Sequence, residues 1–127
     1  MYKGFAEASP EGYVAKEFDK LAPSPGVNWN GPDEVWLGEA MQSGWSVKTS
    51  PKSAKVGSIV LGFDQSNNVW VGIVREVNET GIRFDTLDQH NKLVQKNVNY
   101  ESLASDYQLI GYICPDRVDE AKNKLIL

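Results

Sequence analysis

The chain has 127 residues, 41% hydrophobic and 24% charged, a composition typical of a soluble globular domain. Thirteen basic and seventeen acidic residues give a net charge of −4, so the sequence predicts no nucleic-acid partner. No apolar run approaches the roughly 20 residues of a membrane span. We therefore predict one domain over residues 1–127, with a core at about 9–115 and a tail at 116–127.

The amino terminus and the reactive residues bear on compartment and cofactors. Because no secretory signal is visible, the cytosol is the default location, and export without a visible leader stays open. Cys114 is the single cysteine and cannot form an intrachain disulfide. Together with one histidine, His90, it is too little for a zinc site, so we expect neither a metal nor a cofactor.

Two helices are predicted in the first third of the chain. Ser9 followed by Pro10 has the form of an N-cap, and apolar residues recur at helical spacing as far as Leu21. A loop rich in proline, glycine and asparagine follows at 22–32. The second helix is expected to begin near Pro32 and Asp33 and to end at Gly44.

Strand patterns begin at Trp45, and polar turns at 67–68, 78–81 and 88–91 predict antiparallel hairpins. One helical turn is expected at 100–105. The predicted fold class is α+β, with two N-terminal helices packed on an antiparallel sheet of five or six strands. The predicted strands are WSVK, GSIVLGF, VWVGIVREV, GIRFDTL, KLVQKNV and YQLIGYIC.

The strand VWVGIVREV is apolar on both faces, which is typical of a central strand. We expect a helix to lie across Gly72, because this residue has no side chain to pack. The predicted faces are Val69, Val71, Ile73 and Arg75 on one side, and Trp70, Gly72, Val74 and Glu76 on the other.

Most of the four tryptophans are expected in the core, with Trp29 exposed in its loop. Cys114 is expected to be buried and unreactive, because no basic neighbour or helix N-terminus lowers its pKa. His90 is expected in a solvated turn. Asp85 and Asp88 fit turn formers better than an acid–base or cation-binding pair.

Several segments form a pattern that extends over about residues 9–115. They are Trp29, Trp36 and Ala40, the run Val56 to Val60, Val71 to Val74, the turn at Val77 and Asn78, and the closing IGYICP. This pattern resembles the CHAP family, the cysteine- and histidine-dependent amidohydrolases and peptidases of the papain-like superfamily. The resemblance implies a papain-like fold and a relation to enzymes that cut peptidoglycan peptides.

The chain departs from this family at the catalytic positions. Aligned on VGIV, Trp70 stands where the family has its histidine, and indole cannot accept a proton. The cysteine position falls on Tyr13 or, in another register, on Pro10. The third, orienting position falls near Asp85 or Asp88. The resemblance therefore implies a pseudoenzyme that lacks both nucleophile and base.

The resulting interpretation is a non-catalytic binding or interaction module, in a phage, mobile-element or secretion context, with a peptide, glycan or protein partner. Its groove is expected at Tyr13, Trp29, Trp70, Asp85 and Asp88, unless Trp70 fills it.

Two alternatives stay open. One is an atypical cysteine amidase or peptidase that uses Cys114 or Ser9 as nucleophile and His90 or an aspartate as base. The other is a structural or assembly subunit that forms oligomers through its apolar C-terminal tail.

Overall fold

A computed structural model of the protein describes residues 9–21 and 32–117. Helix α1 spans Pro10–Leu21 and coincides with the predicted first helix. The Ser9 hydroxyl accepts a hydrogen bond from the Gly12 amide at 3.1 Å, which is the expected N-cap. Trp29 and residues 118–127 of the tail lie outside the described residues, and so do the predictions that concern them.

The second helical segment is divided into two parts. A 3-10 turn at Asp33–Val35 leads directly into helix α2, Trp36–Gln42. Gly44 follows with φ of +85°, the left-handed conformation that commonly ends a helix. Trp36 and Ala40 of α2 are fully buried, so this short helix is held by packing as well as by its own hydrogen bonds.

In the part of the chain that the structure describes, six strands form one antiparallel sheet in the order β1-β6-β2-β3-β4-β5. The long strand β3 is central, as predicted. The β4–β5 hairpin leads into a short helix, α3, at Tyr100–Ala104, and a 3-10 turn lies at Pro51–Ser53. The strands are β1 Trp45–Lys48, β2 Ile59–Phe63, β3 Val69–Val77, β4 Gly81–Leu87, β5 Leu93–Asn99 and β6 Leu109–Arg117.

The two faces of the sheet carry separate apolar cores. The face that packs against α1 and α2, called here the α1 face, buries Trp36 and Trp45, which confirms a core position for these two tryptophans. The opposite face, called the α3 face, packs against α3 and includes Cys114, which is buried as predicted. Trp70 is half-buried on the α3 face and Ile73 is buried on the α1 face, in line with the predicted alternation of β3.

Gly72 corrects one expectation, because the element that approaches it is an aromatic ring and not a helix. A Cβ atom at Gly72 would overlap the ring of Phe84 from the neighbouring strand β4. Phe84 in turn stacks on Trp70, so glycine leaves room for this aromatic pair.

We expect Gly72→Ala to lower the free energy of unfolding by about 2 kcal/mol, because the new methyl group forces the Phe84 ring out of place. Urea denaturation measures the loss. In a Phe84→Leu background the same substitution should cost less, since the clash is relieved. Equal costs in both backgrounds would contradict this packing.

Candidate functional site

A cleft of about 640 Å³ lies at the end of the sheet where β2 and β4 finish and β3 begins. Trp70 and Phe84 form its floor, and Tyr107, which follows α3, forms one wall. The start of α1 contributes Pro10 and Glu11. The cleft is therefore built by elements from both faces of the sheet, and its volume suits a small ligand or a short segment of a longer one.

The floor of the cleft is a fixed aromatic cluster. The Trp70 and Phe84 rings stack with centroids 5.1 Å apart and an interplanar angle of 17°. Trp70 meets the Tyr107 ring edge-on at 5.7 Å, and its indole N–H donates to the Tyr107 carbonyl at 3.0 Å. Because the indole nitrogen is occupied, Trp70 offers a ligand apolar ring surface and no hydrogen-bond donor.

Two carboxyl groups meet at the edge of the cleft. Asp33, in the 3-10 turn, is 8% exposed and faces Glu11, in the first turn of α1. Burial and the neighbouring carboxyl of Glu11 raise the pKa of Asp33 to about 6. This pair therefore holds a proton under mildly acidic conditions and carries two negative charges when Asp33 ionises.

The raised pKa makes Asp33 a source of pH-dependent stability. The unfolded chain releases the Asp33 proton near pH 3.8, whereas the folded protein holds it to about pH 6. The free energy of unfolding therefore falls as pH rises through this window. The free energy of unfolding of Asp33→Asn, relative to that of wild type, should therefore increase by about 1–2 kcal/mol from pH 4 to pH 7. This is less than the full difference between the two pKa values implies, because solvent in the cleft screens the charge.

Urea denaturation at both pH values measures this difference, with Glu101→Gln, an exposed residue of α3, as the control. An Asp33→Asn effect that is the same at pH 4 and pH 7 would contradict the carboxyl pair.

The predicted site residues Tyr13 and Asp85 do not line the cleft but meet at Arg75 on the α1 face. The guanidinium of Arg75 donates to Glu17 at 2.6 Å and to Asp85 at 3.2 Å, and its contact with the Tyr13 hydroxyl is 3.4 Å. Burial opposes its charge, yet these hydrogen bonds raise the pKa of Arg75. The cluster ties α1 to β3 and β4, and its observed role is structural.

Asp88 does line the cleft, and the structure also shows it as a turn former. Its Oδ1 atom accepts from the amides of His90 at 2.7 Å and Lys92 at 3.0 Å, and these bonds lower the pKa of Asp88. His90 is exposed in this β4–β5 turn, as predicted, and is not among the residues that line the cleft.

The alternative with a Cys114–His90 pair is wrong. Cys114 is buried on the α3 face in β6, and His90 follows β4, three strand spacings of about 4.8 Å away, or about 14 Å across the sheet. Ser9 serves as the N-cap of α1. Among the described residues that line the cleft there is no cysteine, histidine or serine.

The resemblance left two residues, Tyr13 and Pro10, as matches for the CHAP cysteine, and they lie in different surroundings in the structure. Tyr13 packs on the α1 face, away from Trp70 on the α3 face. Pro10 lies at the start of α1. Of these two residues, Pro10 is the one that lines the same cleft as Trp70.

Sequence reasoning did not identify Phe84, Tyr107, Lys96 or the Glu11–Asp33 pair as parts of the site. The alternation of β3 and β4 puts Phe84 on the same face of the sheet as Trp70, and this signal was available in the sequence. The register pairs Phe84 with Val74, so the stacking on Trp70 is visible only in the structure. Nothing comparable marks Tyr107, because its position depends on how the chain returns after α3.

Comparison with known proteins identifies a solved structure with a similar fold. No protein-family model matches the sequence, and none of the curated proteins matches it. A crystal structure of Ly7917, described as holding the hydrolysis product of MDP, superimposes with a TM-score of 0.62 at 18% identity. The two chains share a fold. The match covers 85% of this chain but only 53% of that one, so the chain spans about half the length of Ly7917.

The described residues also bear on metal binding and membrane spanning. Residues 9–21 and 32–117 contain no group of three or more His, Cys, Asp or Glu side chains that could hold a metal ion. In the same ranges, every helix is too short or too polar to cross a bilayer.

Proposed function

We propose that the protein is a non-catalytic binding module of CHAP-like, papain-like fold whose cleft takes a peptide or cell-wall-type ligand. The observation that carries this proposal is the cleft itself. It has an aromatic floor, and its described lining lacks the cysteine, histidine and serine on which acyl-transfer chemistry depends.

The shared fold supports the ligand class. Ly7917 was crystallised with the hydrolysis product of MDP, which we read as muramyl dipeptide, a fragment of peptidoglycan. The half-buried ring of Trp70, which stacks on the buried Phe84, provides an apolar aromatic surface of the kind that binds sugar rings and peptide side chains. The cleft volume of about 640 Å³ fits a fragment of this size.

The proposal of a non-catalytic role rests on what stands at the start of α1. A cysteine at a helix N-terminus is activated by the helix dipole, but this position holds Pro10, which has no nucleophile. The histidine position holds Trp70, whose N–H already donates to Tyr107. Without the thiol and imidazole of the family's mechanism, we expect a bound amide to stay intact.

Calorimetric titration with muramyl dipeptide and with the tripeptide Ala-γ-D-Glu-Lys tests the proposal, together with chromatography of each ligand after prolonged incubation. We expect at least one of them to bind and both to be recovered unchanged. Release of a hydrolysis product would overturn the non-catalytic role, and absence of binding to both would overturn the ligand class.

A matched pair of variants locates the binding site. Phe63 is exposed and lines the cleft, whereas Val56 is exposed near the opposite end of the sheet. We expect Phe63→Ser to weaken binding about tenfold, from the loss of ~1.5 kcal/mol of apolar contact, and Val56→Ser to leave it unchanged. An equal effect of the two substitutions would place the ligand elsewhere.

A further inference from the structure

The charge of the cleft points to a feature of the ligand. Five carboxyl groups line it and only one basic side chain, Lys96, does so among the described residues. Because a concave site focuses the field of its walls, the cleft has a negative potential that attracts cations and repels anions. The lining carboxyl groups are those of Glu11, Asp33, Asp64, Asp88 and Asp106.

Within the described residues, no basic side chain neutralises these carboxyl groups. In residues 9–21 and 32–117, no lysine or arginine forms an ion pair with any of them. Asp64 and Asp88 each use Oδ1 to accept two backbone amides of their own turns, which leaves Oδ2 without a hydrogen bond from the described residues. Asp33 is nine-tenths buried and faces a second carboxyl, so like charges are held together at the cleft edge.

The aromatic floor and wall add a second attraction for cations. Faces of indole, phenol and phenyl rings bind ammonium groups, most strongly when water is partly excluded. The chain itself shows this preference, because the Lys96 ammonium lies 6.0 Å from the centroid of the Tyr107 ring. A cleft that is lined by both aromatic rings and acidic side chains is thus complementary to an organic cation.

We propose, on the basis of the function proposed above, that the cleft selects peptides that carry a free primary ammonium group. The group is bound by the acidic side chains at the edge and by the aromatic faces of the floor. A metal ion fits less well, because no three of the described carboxyl groups converge on one point. Muramyl dipeptide has a carboxylate and no ammonium, so this cleft should favour a peptide with a diamino acid or a free amino terminus over it.

Calorimetric titration with Ala-γ-D-Glu-Lys, its Nε-acetyl form and its Nα-acetyl form tests the proposal and separates the two sources of the ammonium. We expect the form that loses the recognised ammonium to bind about tenfold more weakly, and we expect the difference to shrink as salt is added. Equal affinity for all three peptides would overturn the ammonium preference and leave the proposed function standing. Failure of all three peptides and of muramyl dipeptide to bind would overturn both.

Variants that change the charge of the cleft provide an independent test of the ammonium preference. The double variant Asp64→Asn and Asp88→Asn removes two charges, while each new side-chain amide still has an oxygen that can accept the hydrogen bonds of its turn. Binding of the unmodified peptide should therefore weaken about tenfold. Lys96→Gln removes the competing cation and should strengthen binding about threefold. Glu101→Gln, exposed on α3 outside the cleft, is the control and should change nothing. Changes in the reverse directions would contradict the proposal.

Discussion

Arg75→Leu should lower the free energy of unfolding by about 3–4 kcal/mol, the largest effect that we expect from a single substitution. The side chain of Asp85 is 9% exposed, and its Oδ1 atom has no hydrogen-bond partner among the described residues. Its Oδ2 atom depends on Arg75. Removal of the guanidinium therefore leaves a buried carboxylate without compensation, and a second carboxylate, Glu17, loses one of its two basic partners.

Urea denaturation at neutral pH measures this loss, and two further variants establish its cause. Adding Asp85→Asn to Arg75→Leu should restore part of the stability, because a neutral amide costs less to bury than a carboxylate. Lys55→Gln is the control, since it breaks an exposed ion pair with Asp116 and should cost less than about 1 kcal/mol. Similar losses for Arg75→Leu and Lys55→Gln would show that the cluster does not support the fold.

The Arg75 cluster also predicts how the wild-type protein responds to acid. Although burial opposes ionisation, hydrogen bonds from Lys20 and Arg75 lower the pKa of Glu17 below its ordinary value of 4.5. The stability that this carboxylate contributes is therefore present above pH 4.5 and is lost as pH falls through its folded pKa. Arg75→Leu should reduce this part of the acid sensitivity, because one of the two groups that stabilise the ionised form is gone.

Trp70→Ala should cost about 3 kcal/mol of unfolding free energy and should also weaken ligand binding. The indole is half-buried, stacks on Phe84 and donates to the Tyr107 carbonyl, so truncation opens a cavity and leaves a carbonyl without its donor. The sequence left two alternatives, a groove lined by Trp70 or a core filled by it. In the structure the same ring packs on the α3 face and forms the floor of the cleft.

Trp70→Phe separates the two contributions of the indole. It keeps an aromatic face on Phe84 and removes the N–H donor, so the expected loss of stability is about 1–2 kcal/mol. Binding of a cell-wall-type peptide should be largely retained, because the ligand contacts the ring face. Full stability of Trp70→Ala in urea denaturation would show that the ring is not part of the packed structure.

Local patterns in the sequence were sufficient for the secondary structure. The N-cap at Ser9 and the spacing of apolar residues predict α1, and the left-handed Gly44 ends the second helical segment as expected. Alternation in β3 predicts that Trp70 and Arg75 lie on opposite faces. These features depend on interactions between residues a few positions apart, which a single sequence displays directly.

The cleft could be predicted only in part. Trp70 and Asp88 were named from the sequence and do line it, whereas Tyr13 and Asp85 were named and lie at Arg75 instead. The error has a geometric cause. Tyr13 lies three residues beyond Pro10 on the same side of α1, and this advance of roughly 4.5 Å along the helix places it at Arg75 and not at the cleft.

By itself, the sequence determined the α+β class, the antiparallel hairpins, the burial of Cys114 and the absence of a Cys–His pair at the family positions. Only the tertiary structure decided that Glu11 meets Asp33, that Phe84 covers Gly72 and that five carboxyl groups surround one aromatic floor. The physical reason is the range of the interactions. Helix caps and strand alternation are set by neighbours along the chain. The cleft instead joins segments from the start of α1 to Tyr107, and their approach is fixed by packing across the sheet.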